Sequence, residues 1–268
     1  MSARIFQMDR PLIMGHRGHQ REAPENTMLS MKLALSVGVD FLESDVRMTK
    51  DRELVLFHDD SLIRTTGQQG RVKDYSLDEL RQIDLGYTFS TDGSTYPFRS
   101  KGHSIVTLRE AFDAFPTARF NLDIKDSDSN APELLAKILR EKEKQKSVII
   151  ASFIPSQLEK FRKLEPSVAT SANPKEVRNF LFGVKLRMID TLSGTRQYKA
   201  LQVPIKSGII RVISKRFIDE AHKRNIAIHV WTINDRSTME YLIDMEVDGI
   251  FTDEPSLMRE VLVDRGFL

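Results

Sequence analysis

Cysteine is absent from the 268 residues, which excludes disulfides, thiolate metal ligands and a cysteine nucleophile. An excess of one charge is absent too: 40 basic residues stand against 38 acidic ones, a net of +2. No basic block rises above that background, so nucleic acid is not an expected partner, and mixed clusters such as residues 142–146 read as solvated helix faces. Apolar runs are short. The run at residues 148–154 falls far below the roughly 18 residues that cross a bilayer. At residues 1–9, Arg4, Gln7 and Asp9 interrupt what would be the apolar core of a signal peptide. A soluble, cytoplasmic protein with no membrane span is therefore expected. No glycine-rich phosphate loop opens any helix, which argues against an open doubly wound sheet. The chain is 40% hydrophobic and 29% charged, the composition of an ordinary globular protein, and residues 1–268 read as one domain.

What is present is a rhythm of short apolar runs followed by longer amphipathic segments. Strands are expected at residues 12–16, 39–47, 118–125, 147–152, 167–170, 201–203, 226–232 and 249–252, with residues 53–57 also strand-like. Helices are expected at 26–37, 108–115, 131–143, 155–164, 174–182, 214–224, 236–245 and 255–263, with Pro132 in a first turn and Ser214 as a cap. Eight strands, each followed by a helix, suit a (β/α)8 TIM barrel. Residues 61–104 break the rhythm and read as an insertion after the second strand, lying over one mouth of the fold. Residues 183–199 give no clear pattern.

In such a barrel the chemistry collects at the C-terminal ends of the strands. His16 and Arg17 end the first strand, Glu43 and Asp45 the second, and Asp123 and Lys125 the third, while His58 follows the 53–57 run. Glu43 and Asp45 are two residues apart on a strand, so both point to one face. Two buried carboxylates repel each other, and a divalent cation would relieve that cost. With Asp123 they form a hard-oxygen set suited to Mg²⁺ or Ca²⁺. Arg17 and Lys125 supply fixed positive charge for a phosphate. His16 and His58 have the ordinary pKa for acid–base work near neutrality. Together these groups describe phosphodiester cleavage. Trp231, near the mouth on the seventh strand, is expected as a wall facing the substrate, and His229 below it as filling the barrel interior. His19 and His103 read as loop residues and His222 as structural. Residues 127–225 show little chemistry beyond Ser152.

The pieces G-H-R-G at 15–18, P-E-N-T at 24–27, E-S-D at 43–45, H-D at 58–59, V-W-T-I-N at 230–234 and D-G-I-F-T-D-E-P at 248–255 are spread over nearly the whole chain. In that order they resemble the glycerophosphodiester phosphodiesterase family. The resemblance implies a barrel with a small insertion and metal-dependent hydrolysis of glycerophosphodiesters to glycerol 3-phosphate and an alcohol. It also implies His16 and His58 as the acid–base pair, Arg17 and Lys125 as phosphate ligands, and Glu43 and Asp45 as metal ligands. One departure is that D-I-K at 123–125 stands where the family has E-x-K, so the third ligand, Asp123, is one methylene shorter. Two alternatives are a lysophospholipase D or phospholipase C-like lipid enzyme and a catalytically silent barrel that binds metal or phosphate. A lipid substrate would call for an apolar rim, and the insertion offers only Tyr87, Phe89, Tyr96 and Phe98 among polar neighbours.

Overall fold

The computed structural model describes residues 8–193 and 197–268, so most of the 1–9 stretch and part of 183–199 lie outside the described residues. Eleven strands occur along them: β1 (Leu12–Gly15), β2 (Phe41–Met48), β3 (Leu54–Leu56), β4 (Phe120–Ile124), β5 (Val148–Ala151), β6 (Ala169–Thr170), β7 (Ala200–Val203), β8 (Lys206–Ser207), β9 (Ile210–Arg211), β10 (Ala227–Val230) and β11 (Gly249–Thr252). Eight of them run parallel in the order β6-β5-β4-β2-β1-β11-β10-β7. A parallel bridge between Ser171 and Ala200 joins β6 to β7 and nearly closes the ring. This is the expected TIM barrel.

Strand alternation divides the side chains into two layers. On β4, Phe120, Leu122 and Ile124 join the large core between sheet and helices, while Asn121 and Asp123 face the axis. The lower barrel is filled by Leu12, Met14, Phe41, Ile149 and Phe251, with Trp231 packed on top and buried His229 beside the Phe251 ring. Apart from His229, the charged residues that face the axis gather near the mouth, above this apolar floor.

Around the ring lie α1 (Met28–Val37), α4 (Leu108–Ala114), α5 (Ala131–Glu141), α6 (Pro155–Leu164), α7 (Pro174–Leu186), α9 (Lys215–His222), α10 (Arg236–Asp244) and α11 (Pro255–Asp264), while α2 (Ile63–Thr66), α3 (Leu77–Leu80) and α8 (Ile189–Ser193) are shorter. Their starts follow local chemistry. Thr27 caps α1 and Ser214 caps α9, each hydroxyl accepting from a backbone N–H two or three residues inside the helix. Proline sits in the first turn of α5, α6, α7 and α11, where its missing N–H costs nothing.

The 53–57 run forms β3, a return strand antiparallel to β2 and outside the ring. The segment after it carries α2 and α3 over a small core of its own, built on Val55, Phe57, Leu62, Val72, Leu80, Leu85 and Ile105. Its aromatics satisfy one another: Arg99 lies over Tyr87 and Tyr96 at 4.2 and 3.9 Å, and Phe89 meets Phe98 edge-on at 5.1 Å. Helix α7 continues past the expected end at 182 to Leu186, and α8 follows. A small antiparallel hairpin, β8–β9, was not foreseen. Among the described residues no helix is long and apolar enough to cross a membrane.

Candidate active site

The chain leaves β1 through G-H-R-G in a tight turn that requires glycine at position 18. Gly18 has φ of +87°, and a Cβ there would meet the Ser30 carbonyl carbon at 2.6 Å and the Met31 backbone nitrogen at 2.8 Å. Arg17 is itself held in the left-handed region, at φ +54°, and its backbone N–H donates to Glu43 Oε2 at 3.0 Å. The turn thus delivers two adjacent side chains, His16 and Arg17, to the mouth and ties them to the end of β2.

Register sets the carboxylates side by side. Asp45 on β2 pairs with Asp123 on β4, and Glu43 with Asn121. Like charges opposite one another on neighbouring strands are unfavourable, and Lys125 answers them: its Nζ lies 2.8 Å from Asp123 Oδ2 and 3.4 Å from Asp45 Oδ1. Arg17 Nε approaches Asp45 Oδ2 at 3.5 Å. Burial and the neighbouring Asp45 push the Glu43 carboxyl up to about 7, against the pull of His16 and Arg17. Burial also raises Asp123, with Asp45 adding to the effect and Lys125 opposing it. Asp45 Oδ2 and Asp123 Oδ1 are buried with no hydrogen-bond partner. Among the described residues no three histidine or carboxylate groups already converge as a formed metal cluster. Even so, buried hard oxygens with unfilled lone pairs, one carboxyl raised by crowding, are donors that a hard divalent cation fits.

Each histidine has a carboxylate behind it. His16 Nδ1 donates to Asp253 Oδ1 at 2.6 Å, which leaves Nε2 turned toward Glu43 at 3.9 Å. Gln20 also donates to Asp253 Oδ1, Asn234 Nδ2 donates to Asp253 Oδ2 at 2.6 Å, and the Asp253 N–H returns to Asn234 Oδ1 at 2.8 Å. Burial alone would lower the proton affinity of His16, but the charge of Glu43 and the bond to Asp253 outweigh it and raise the pKa. On the other side His58 Nδ1 donates to Asp59 Oδ1 at 2.6 Å, and Arg47 Nε holds the His58 carbonyl at 2.9 Å. Arg64 then bridges Asp59 to Glu25, whose Oε1 accepts from Arg17 Nη1 at 2.9 Å. A continuous chain, His58–Asp59–Arg64–Glu25–Arg17, therefore joins the inserted segment to the first turn.

These groups open into one cavity of about 570 Å³, lined by His16, Arg17, Glu43, Asp45, His58, Asp123, Lys125 and Trp231. All eight residues singled out in the sequence meet there. Trp231 is edge-on to Phe153 at 6.0 Å, and Lys125 lies 5.0 Å from the Phe153 ring. His229 lies in the interior, fully buried and lowered to about 4 by that burial. His19 is buried in the turn against Ser256, and His222 is held by Asp248 at 2.8 Å; neither lines the cavity.

Sequence reasoning assigned no role to Asp253, Glu25, Asp59 or Arg64 as partners. All but Arg64 lie inside the quoted motifs, and their pairing depends on contacts between distant segments. It also found no chemistry in residues 127–225 beyond Ser152, whose hydroxyl donates to the Ile124 carbonyl at 2.7 Å. That stretch supplies much of the cavity wall, including Phe153, Val177, Leu181, Phe182 and Ile210.

Comparison with known proteins gives likenesses in sequence and in fold. Residues 16–257 match the model of the glycerophosphoryl diester phosphodiesterase family. The chain is 30% identical to a glycerophosphodiester phosphodiesterase of Bacillus subtilis over 96% of its own length and 88% of the relative's. It is likewise 30% identical to a glycerophosphodiester phosphodiesterase of Caldanaerobacter subterraneus, over 92% and 96%. Among solved structures, a phosphodiesterase of Oleispira antarctica in complex with the product sn-glycerol-3-phosphate superposes with a TM-score of 0.78 at 25% identity, covering 95% of this chain and 97% of that one.

Proposed function

The chain belongs to the glycerophosphoryl diester phosphodiesterase family and is a hydrolase of glycerophosphodiesters, and from that premise we propose how its residues divide the work. The observation that carries the reading is the pair of carboxylate-backed histidines, His16 and His58, opening into one cavity with Arg17 and Lys125. The phosphate is bound between Arg17, which can grip two oxygens, and Lys125. One imidazole takes the proton of the attacking oxygen, and the other returns a proton to the leaving alkoxide. Asp253 and Asp59 each fix the tautomer by occupying Nδ1, so that Nε2 is the working nitrogen. Trp231 and Phe153 form the wall against which the substrate is oriented.

Glu43, Asp45 and Asp123 would hold a divalent cation, Mg²⁺ or Ca²⁺, which when bound supplies charge neutralisation and polarises the phosphoryl oxygens. The unfilled lone pairs of Asp45 and Asp123 support that reading. The chain acts as one catalytic domain, with residues 61–104 as an inserted cap whose Arg64 steadies His58 through Asp59.

The reading is tested by incubating the purified protein with glycerophosphocholine and glycerophosphoethanolamine, with and without EDTA, and measuring glycerol 3-phosphate. Metal-dependent release is expected. Release that persists undiminished in EDTA would remove the cation from the scheme, and absence of release with metal restored would overturn the assignment.

A further inference from the structure

Large apolar side chains stand in water around the mouth of the cavity. Phe153 is 56% exposed and Phe182 44%, and both line the cavity together with Ile210. Arg178, Phe182 and Leu186 follow one another at four-residue spacing along one line of α7, and Leu186 is 61% exposed. The β8–β9 hairpin gives Ser207 and Ile210 to the same cavity and then turns at Gly208. There φ is +57° and an added Cβ would meet nothing within 4 Å, so the tip projects into solvent. Ile209 at that tip is fully exposed. Apolar surface gathered in this way at one end of a molecule marks an interaction site rather than scattered exposure.

The free charge on the same two segments is of one sign. Arg178, Lys185 and Arg187 lie on or just after α7, Lys206 and Arg211 lie on the hairpin, and all are exposed. In residues 174–193 and 203–212 the acidic side chains are Glu176 and Asp190. Each is engaged away from the rim, Glu176 by Arg162 at 2.7 Å and Asp190 by Arg224 at 3.2 Å. Among the described residues Arg178, Lys185, Arg187 and Lys206 form no ion pair, so their charge is uncompensated. We propose that this rim docks on the surface of a bilayer that carries anionic lipid. Apolar side chains at a projecting tip suit the boundary between head groups and acyl chains, and the long cationic side chains around them reach the lipid phosphates. A second copy of the chain fits less well, because a two-fold contact sets a patch against itself and these cations would meet like charge. The net charge of +2 hides the asymmetry, since folding brings together two segments that are each ordinary in sequence. Docking of this kind needs no membrane-spanning segment and no turnover, and it does not depend on how His16 and His58 divide the catalytic work.

Co-sedimentation of the purified protein with vesicles tests the proposal. Vesicles of equal parts phosphatidylcholine and phosphatidylglycerol should bind it at least ~10-fold more tightly than vesicles of phosphatidylcholine alone, and added salt should weaken that binding. Ile209→Asp, at a fully exposed tip outside the cavity lining, should weaken binding to the anionic vesicles by ~10-fold or more. Lys185→Gln combined with Lys206→Gln should weaken it by about 20-fold. Both variants should keep the wild-type circular dichroism and, without vesicles, the wild-type hydrolysis of glycerophosphocholine. Absence of binding, equal binding to the two kinds of vesicle, or binding unmoved by both variants would overturn the proposal. So would a dimer in sedimentation velocity that Ile209→Asp dissociates, which would give the rim to a second copy of the chain.

Discussion

Replacing Asp253 by Asn tests whether His16 works as a carboxylate-backed base or acid. The bond from His16 Nδ1 to Asp253 Oδ1 is 2.6 Å long and partly buried, and Asn234 and Gln20 hold the carboxylate in place from the other side. Asparagine keeps the shape and removes the charge. A hydrogen bond to a charged partner contributes about 1.5–3 kcal/mol, which corresponds to roughly 10- to 150-fold in kcat/KM if the imidazolium forms in the transition state. The direction of the pH effect follows from the forces on the ring. Burial lowers its proton affinity, Glu43 and Asp253 raise it, and the net is a raised pKa. Without Asp253 the limb of the pH–rate profile belonging to His16 moves to lower pH. The stability that protonated His16 contributes, present below the ordinary imidazole range and lost as pH rises through its raised value, shrinks as well. Steady-state kinetics from about pH 5 to 9, with the pKa of His16 followed by NMR, read both effects. An unchanged rate and an unmoved limb would show that Asp253 does no more than fill space behind the ring.

Ca²⁺ or Mg²⁺ at a hundred times its dissociation constant should stabilise the protein by about 2.7 kcal/mol, roughly 5–10 °C in Tm for a chain of this size. Because Glu43 is raised to about 7, protons compete with the cation, so the shift read by calorimetry should fall as pH drops through that value; an equal shift at pH 5.5 and 8 would contradict a Glu43 ligand. Gly18→Ala forces a Cβ against the Ser30 backbone at a left-handed φ and should destabilise the fold by about 1–3 kcal/mol or more, as denaturant titration would report. Arg64→Ala cuts the chain between Asp59 and Glu25. Because Arg64 is half exposed, stability should change by less than about 1 kcal/mol, while kcat/KM falls roughly 10-fold.

The parts of this molecule that were legible in the sequence share a physical origin. Barrel strands such as Leu12–Gly15 and Val148–Ala151 are short apolar runs bounded by turn or capping residues, so their positions follow from local pattern. The inward set of Asp45, Asp123 and Lys125 followed from alternation along two strands. Less legible was whatever depends on one segment meeting another. Residues 53–57 carry the pattern of any strand, and only the antiparallel pairing of Arg47 with Val55 shows that β3 lies outside the ring. Helix α7 ran past its expected end because Phe182 and Leu186 are exposed apolar residues, which blurs the boundary between faces that periodicity relies on. Of the two, Phe182 lines the cavity, so a residue that obscured the helix boundary also belongs to the cavity's apolar wall. Arg64 escaped notice because an arginine in a polar loop is unremarkable until Asp59 and Glu25 are seen on either side of it.

The measurement to make first is turnover of glycerophosphoethanolamine by the wild-type protein and by His16→Ala and His58→Ala, with circular dichroism to verify folding. Each substitution is expected to lower kcat by about 10²- to 10⁴-fold with the fold intact, since each removes one of the two proton-transfer groups. Near-wild-type turnover by either folded variant would contradict the two-histidine scheme.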